Sequence, residues 1–503
     1  MSKFYLTTPL YYVNDEPHIG HAYTTILADV LARYHRSSGY DVHFLTGTDE
    51  HGQKVQQAAE KRNVLPTDHV DEYVKRFQKT WNKLNISNDD FIRTSENRHK
   101  NIVKDVLNTL HKKGEIYLAE YEGLYSVSEE RFITEKEAND GNFKQIKKIK
   151  EKNYFFKMSK YQNQLIKHIN NNPEFILPKK RANEVLGFLK NPLSDLCISR
   201  PKSRLSWGIE IPFDTEYVTY VWFDALLNYI SAVGYRADQN KFETWWPANY
   251  HLIGKDILIT HSIYWIAMLM AMDVKLPKTI LAHGWWLTEN EKMSKSVGNV
   301  IRPLDLIDKH GVDSLRYYLM RDMVLGQDAS YSYDSFIKRY NSDLANDLGN
   351  LLNRVTILIN KNFNAFVPEY GKFSNQENDI LEFIDSSSKT VCKLIHNLKI
   401  HEAIEIIMKG YRLLNKYLEL KEPWKLVKKN KESKSSAATC LFVALNVFYK
   451  NSLLLYPIMP DKINKITEVL GQNLPVDIFN VNFIKPGTKI GIGNSLFPRI
   501  DTK

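Results

Sequence analysis

Cysteine is scarce and scattered. The 503 residues hold three, Cys197, Cys392 and Cys440, and none belongs to a CxxC pair. An odd number at such separations argues against a disulfide framework or a four-cysteine zinc site and fits a reducing compartment. Glycine (22) and proline (18) are too few for a collagenous or low-complexity chain. Long apolar runs are missing as well. The most apolar stretch, 263–274, falls short of the roughly 20 residues that a bilayer-spanning helix needs. Residues 1–10 lack the basic-then-apolar signature of a signal peptide. These shortages leave a soluble, cytoplasmic protein as the expectation. No repeat with a period of roughly 20–50 residues is present either.

What is present is a long chain with a modest basic excess. Lys and Arg number 68 against 58 Asp and Glu, with a pI of about 9.0. A polyanionic partner fits that balance, although many basic proteins bind none. With 43% hydrophobic residues, the chain can build several cores. Periodicity then divides it. A strand-like stretch at 4–10 is followed by the polar turn Asn14-Asp15-Glu16-Pro17. Apolar residues then recur at helical spacing from Ile19 to Tyr34, Gly39 stops them, and alternation at 41–48 ends at Asp49. Strand, helix, strand in about fifty residues is the opening of a βαβ unit with a parallel sheet.

Near Gly114 the texture changes to short strand-like pieces and a basic stretch at 144–152. The helix–strand alternation resumes near 217–222, so the nucleotide fold is expected to be split by an insertion. Strand candidates follow at 251–254 and 279–283. Beyond Asn341 the pattern is helical at 344–359, 380–398, 403–420 and 437–455, with a polar joint at 428–436. The expected division is 1–114 and 216–290 for the two halves of the nucleotide domain, 115–215 for the insertion, 291–345 for a stem-contact region and 346–503 for a helical bundle.

Two short motifs carry chemistry. His18-Ile19-Gly20-His21 sits where the first strand feeds the first helix. Two histidines three apart share a helix face, and the glycine admits close approach to the backbone. Unpaired N–H groups and the positive dipole end attract phosphate at the carboxyl edge of a parallel sheet. Alone, the motif reads equally well as a surface turn. Lys292-Met293-Ser294-Lys295-Ser296 is a donor-rich loop able to clamp a pyrophosphate as charge develops on it. Alone, it reads as a solvated charge run.

Together, at the edges of two strand–helix units, the motifs resemble the class I aminoacyl-tRNA synthetases, and among them the methionyl-tRNA synthetase family. The matching stretches are 9–14, Gly47-Thr48-Asp49-Glu50-His51-Gly52, 220–229, Ile253-Gly254-Lys255-Asp256-Ile257 and Leu496-Phe497-Pro498-Arg499-Ile500. They run nearly end to end. The resemblance implies an α/β fold: a Rossmann-like parallel sheet split by a connective insertion and followed by an all-α anticodon-binding bundle. It implies a methionine–tRNA ligase that uses ATP with Mg²⁺, forms methionyl-adenylate and charges tRNA(Met). A plain nucleotidyltransferase would need only the first domain. Sister synthetases for leucine, isoleucine or valine carry a much larger editing insertion. A non-catalytic tRNA-binding paralogue is opposed by the intact His18, His21, Lys292 and Lys295.

The same resemblance assigns His18, Gly20, His21, Lys292, Ser294 and Lys295 to ATP, with the two histidines and two lysines catalytic. Asp49 would take the methionine ammonium, and Leu10, Tyr12, Trp222, Tyr229 and His261 the side chain. Aromatic rings beside a thioether contribute about 0.3–1.5 kcal/mol each. One methylene is worth only about 1–3 kcal/mol, so rejecting homocysteine is expected to need editing. Asn350, Arg354, Pro423 and Trp424 would read the CAU anticodon by stacking and hydrogen bonding. Residues 144–152 touch the acceptor stem or are simply a solvated run. Where many relatives place zinc-binding cysteines, residues 125–132 read Tyr-Ser-Val-Ser-Glu-Glu-Arg-Phe. No structural zinc is expected, and with no further barrel after Ile500 a monomer is expected.

Overall fold

A computed structural model describes residues 2–126, 131–133, 146–288, 291–292, 300–493 and 496–501. Its centre is a seven-stranded sheet whose pairings are all parallel. Strand Lys3–Thr7 lies between Asp41–Asp49 and Tyr250–Gly254. Outward from the latter come Thr279–His283 and Ile176–Leu177. Towards its carboxyl end, Asp41–Asp49 also pairs with Asp90–Arg93 and with the short Tyr11–Tyr12.

Both sheet faces are covered, and successive residues divide between them. Phe4, Leu6, Leu252 and Leu281 join the core under helix Ile19–Ser37, whereas Tyr5, Ile253, Ile280 and Ala282 join the core on the opposite face. The first core runs on without a break into the C-terminal bundle. Its polar pivot is Asp29 of helix Ile19–Ser37, fully buried, which accepts from Arg316 at 2.6 Å and from Arg33 at 2.8 Å. Arg316 also donates to the carbonyls of Leu84, Pro457 and Ile458, so one guanidinium joins the nucleotide fold to the bundle. Burial pushes the Asp29 carboxyl up, but the two arginines more than offset it and hold it below its ordinary value.

The insertion carries a four-stranded antiparallel sheet, including the long pair Ile116–Ser126 and Ile146–Phe156. It is not self-contained: its short strand Ile176–Leu177 extends the parallel sheet beside Thr279–His283. Alternation at 217–222 proves to be two things. Strand Asp214–Thr219 belongs to a small antiparallel sheet, and helix Val221–Leu226 begins directly after Tyr220. A half-buried strand and the start of a buried helix are both apolar-rich over so short a window, which is why they merge in the sequence.

The bundle contains helices Leu351–Asn362, Asn375–His396, Ile400–Lys421, Lys431–Leu453 and Pro460–Val469. Helix Asn375–His396 opens with Ser374 and Glu377 bonded as a capping box. The expected polar joint is instead the first turns of helix Lys431–Leu453, started by Asn430, whose side chain accepts from the Ser433 N–H at 2.9 Å. Its residues are polar because that end of the helix faces solvent. From Ala437 onward the same helix is buried almost all round.

Candidate functional site

At the carboxyl ends of the central strands the chain leaves a cleft of about 480 Å³. Helix Ile19–Ser37 points its amino end into it, with no acidic residue in its first turn and His35 and Arg36 in its last. Its dipole therefore offers an uncompensated positive end to the cleft. His18 caps the helix: its Nδ1 accepts from the Gly20 N–H at 3.0 Å. His21 Nδ1 lies 3.4 Å from the His18 N–H, and the two imidazoles stack with centroids 3.7 Å apart. A Cβ on residue 20 would stand 2.9 Å from the His18 ring, so this folded-over cap requires glycine. Burial, and then the neighbouring His18, lower the His21 pKa well below its ordinary value. With Nδ1 accepting from the backbone, the ring proton of each histidine sits on Nε2.

Tyr11 braces this turn. Its hydroxyl reaches Thr25 Oγ1 at 2.6 Å, and Thr25 donates to the His21 carbonyl at 2.9 Å.

The opposite wall is aromatic. Tyr229 Oη lies 2.8 Å from His261 Nε2, and His261 Nδ1 lies 2.9 Å from the Ile257 carbonyl. Because a carbonyl only accepts, Nδ1 carries the proton and Nε2 accepts from the tyrosine. Burial lowers the His261 pKa to about 4. Half-buried Trp222 meets the His261 ring edge-on at 6.1 Å. Tyr229 is held from behind, where its carbonyl accepts from the Tyr5 hydroxyl at 2.7 Å and its ring lies on His251 at 4.2 Å.

Asp49, 8% exposed, ends its strand at the same cleft, which Leu10 and Tyr12 also line. The cleft thus gathers His18, Gly20, His21, Leu10, Tyr12, Asp49, Trp222, Tyr229 and His261. Trp285 and Trp286 also line it, and the hairpin that follows pairs Leu287 with Lys292. The side chain of Lys292, and all of Ser294 and Lys295, lie outside the described residues, as do residues 127–130 of the cysteine-less stretch. Among the described residues no cluster of three or more His, Cys, Asp or Glu could hold a metal ion.

A second, wider cleft of about 1000 Å³ opens in the bundle. Asn346, Asn350 and Asn353 line it at helical spacing, with Arg354, Arg412, Asn415 and Trp424 opposite or beside them. The Arg354 guanidinium lies over the Trp424 ring at 5.3 Å. Pro423 is buried and does not line the cleft. It opens the turn after left-handed Glu422 (φ 44°) that presents Trp424.

Comparison with known proteins settles the family. Residues 4–141 and 141–356 match the model for class I tRNA synthetases (M), and residues 367–503 match that for the anticodon-binding domain of methionyl tRNA ligase. The methionine–tRNA ligase of Fusobacterium nucleatum is 45% identical over 99% of this chain and 80% of its own length. That of Halalkalibacterium halodurans is 43% identical over 99% and 79%. The chain belongs to the methionyl-tRNA synthetase family. Among solved members, the Mycobacterium tuberculosis enzyme in complex with methionyl-adenylate superposes with a TM-score of 0.95 at 39% identity, covering 99% of this chain and 100% of that one. Its apo form gives 0.87 at 36% identity, covering 100% and 99%.

Sequence reading did not single out several lining residues of this methionyl-tRNA synthetase fold. His283 and Gly284 sit at a parallel strand end, where open α/β sheets gather ligands, so their position was a usable signal. Asp256 belongs to a quoted stretch; it accepts from the Trp285 indole at 3.2 Å at the rim of the cleft. The asparagine stripe of the bundle cleft was visible as a three-to-four spacing. Arg412 and Asn415, on another helix, had no local signal.

Proposed function

We propose that the chain activates methionine with ATP to methionyl-adenylate and transfers the methionyl group to the 3′ end of tRNA(Met). What carries this reading is the cleft itself. It sets Asp49 and an aromatic wall of Trp222, Tyr229 and His261 opposite two stacked histidines at a helix amino end. Asp49 pairs with the ammonium of methionine, and the wall receives its thioether. Neutral His261 and the Tyr229 hydroxyl are already bonded to each other, so the wall is apolar in effect and suited to a polarizable sulfur.

The methionine carboxylate attacks the α-phosphorus of ATP in line and displaces pyrophosphate; Mg²⁺ would supply further neutralisation of the phosphate charge. No protein nucleophile takes part. The rate comes from holding the reactants in register and from donors aimed at the developing charge. His18 and His21 supply Nε2–H donors at the dipole end of the helix, Lys292 and Ser294 bind ATP with them, and Lys295 neutralises the leaving group. The adenylate then acylates the terminal ribose of tRNA.

In the bundle, Trp424 with Arg354 over it stacks unpaired anticodon bases, and Asn350 and Arg354 bond their edges. We infer a monomer, which sedimentation would verify. Three free thiols suit a reducing, cytoplasmic setting. The test is transfer of labelled methionine to tRNA transcripts that differ only in the anticodon. Charging confined to CAU supports the assignment, and charging indifferent to the anticodon sinks it.

A further inference from the structure

Behind the proposed methionine wall lies a buried polar chain outside the lining of the cleft. Asp224 is fully buried, and both of its carboxylate oxygens are engaged: Oδ2 lies 2.6 Å from His51 Nδ1, and Oδ1 lies 2.7 Å from His99 Nε2. His99 Nδ1 in turn lies 2.9 Å from Ser231 Oγ. None of these four residues lines the cleft, but three of them stand two residues from one that does. His51 stands two residues after Asp49 at the strand end. Asp224 stands two after Trp222, and Ser231 two after Tyr229. His99 comes from helix Asn97–Lys112, whose apolar residues join the core on the sheet face opposite helix Ile19–Ser37.

Apolar packing tolerates small slips, because dispersion contacts have no fixed direction. A buried carboxylate that takes one imidazole donor on each oxygen has two fixed directions and a high penalty for losing either. Burial pushes the Asp224 carboxyl up, but His51 and His99 more than offset it, so it stays ionised and keeps both acceptors in use. We propose that the His51–Asp224–His99 chain is a positioning device: it sets the separation between Asp49 and the Trp222–Tyr229 wall, and through that separation the affinity for methionine. The inference rests on the methionine-activating reading of the cleft and adds to it residues that act without contact.

The test uses Asp224→Asn and His99→Gln in the full chain, with the methionine and ATP dependence of pyrophosphate–ATP exchange and the thermal transition measured for each. The expected result is a methionine KM raised about tenfold or more in Asp224→Asn, the size of one charge-assisted hydrogen bond. The ATP KM should stay within about twofold, and His99→Gln should move the same way by less. If Asp224→Asn loses its cooperative transition, His99→Gln decides by the same split. Folded variants in which neither KM moves, or both move together, overturn the proposal and leave the chain as packing. A wild-type protein without methionine-dependent exchange overturns instead the functional reading beneath it.

Discussion

Tyr229 gives its hydroxyl proton to His261 Nε2 across 2.8 Å, and His261 gives its own Nδ1 proton to the Ile257 carbonyl at 2.9 Å. Each polar side-chain atom of this pair is therefore bonded to a partner of fixed direction, and the imidazole is held neutral by burial. Replacing Tyr229 by Phe would leave His261 Nε2 buried with no donor. That omission, about 1–3 kcal/mol in the free enzyme, lets the His261 ring turn away from where the thioether is received, so the methionine KM of Tyr229→Phe should rise by roughly tenfold while the ATP KM holds. Initial-rate exchange at varied methionine and ATP checks this, and an unchanged methionine KM would remove Tyr229 from the pocket.

The stacked pair His18 and His21 should show the opposite signature. Donors aimed at developing phosphate charge act in the transition state more than in the ground state, and loss of one lowers kcat by about 10²–10³. His21→Ala should therefore lose adenylation rate with little change in methionine binding, read by single-turnover adenylate formation beside equilibrium methionine titration. Lys295→Ala, in the motif loop, should behave the same way. Parallel losses of rate and binding would mean misfolding or a binding role.

Trp424 should matter to tRNA alone. A base stacked on an aromatic ring contributes about 1–3 kcal/mol. Trp424→Ala should raise the KM for tRNA by the corresponding factor and leave tRNA-independent pyrophosphate exchange at its original rate. Trp424→Phe should recover part of the loss. A fall in exchange would show that the ring supports the fold.

Several buried histidines make stability fall early with acid. His21 and His251 have pKa values well below the ordinary imidazole value, and those of His35 and His261 are lowered to about 3 and about 4, in each case first through burial. A depressed histidine is neutral when folded and takes up its proton more readily when unfolded. Its contribution is complete above the unfolded value of about 6.5 and is lost as pH falls towards the folded value. The thermal midpoint should thus begin to drop below about pH 6.5 and keep falling towards pH 4. The paired carboxylates Asp29 and Glu377, the latter lowered to about 2 against burial by Lys421 and its hydrogen bonds, give way only below their ordinary range. Calorimetry across this window checks the order of loss, and a flat midpoint from pH 7 to 4.5 would refute it.

Much of the fold was legible because its signals are local. The strand 41–48 and the helix from Ile19 were visible as alternation ending at Asp49 and as a helical repeat, and both fall where the structure has them. Four of the five bundle helices were visible for the same reason, and Pro460–Val469 was not. What escaped depends on contacts distant in sequence. Ile176–Leu177 is two residues long and becomes a strand only because Thr279–His283 is there to pair with it. Asn430 looked like part of a linker because a cap and a linker use the same residue types.

The site divides in the same way. His18, Gly20 and His21 form a compact motif, and Asp49, Trp222, Tyr229 and His261 came from the resemblance. All of them line one cleft. Of the buried chain behind them, His51 and Asp224 fall in quoted stretches without a role of their own, and His99 carries no motif, since what joins the three is packing between elements.

The most direct test of the account is amino-acid-dependent exchange of labelled pyrophosphate into ATP, run without tRNA across all twenty amino acids. Exchange with methionine alone is the predicted result, since Asp49 and the Trp222–Tyr229–His261 wall would admit nothing else productively. Exchange driven by a different amino acid would contradict the reading of that wall, and no exchange with any would leave a tRNA-binding protein without the chemistry.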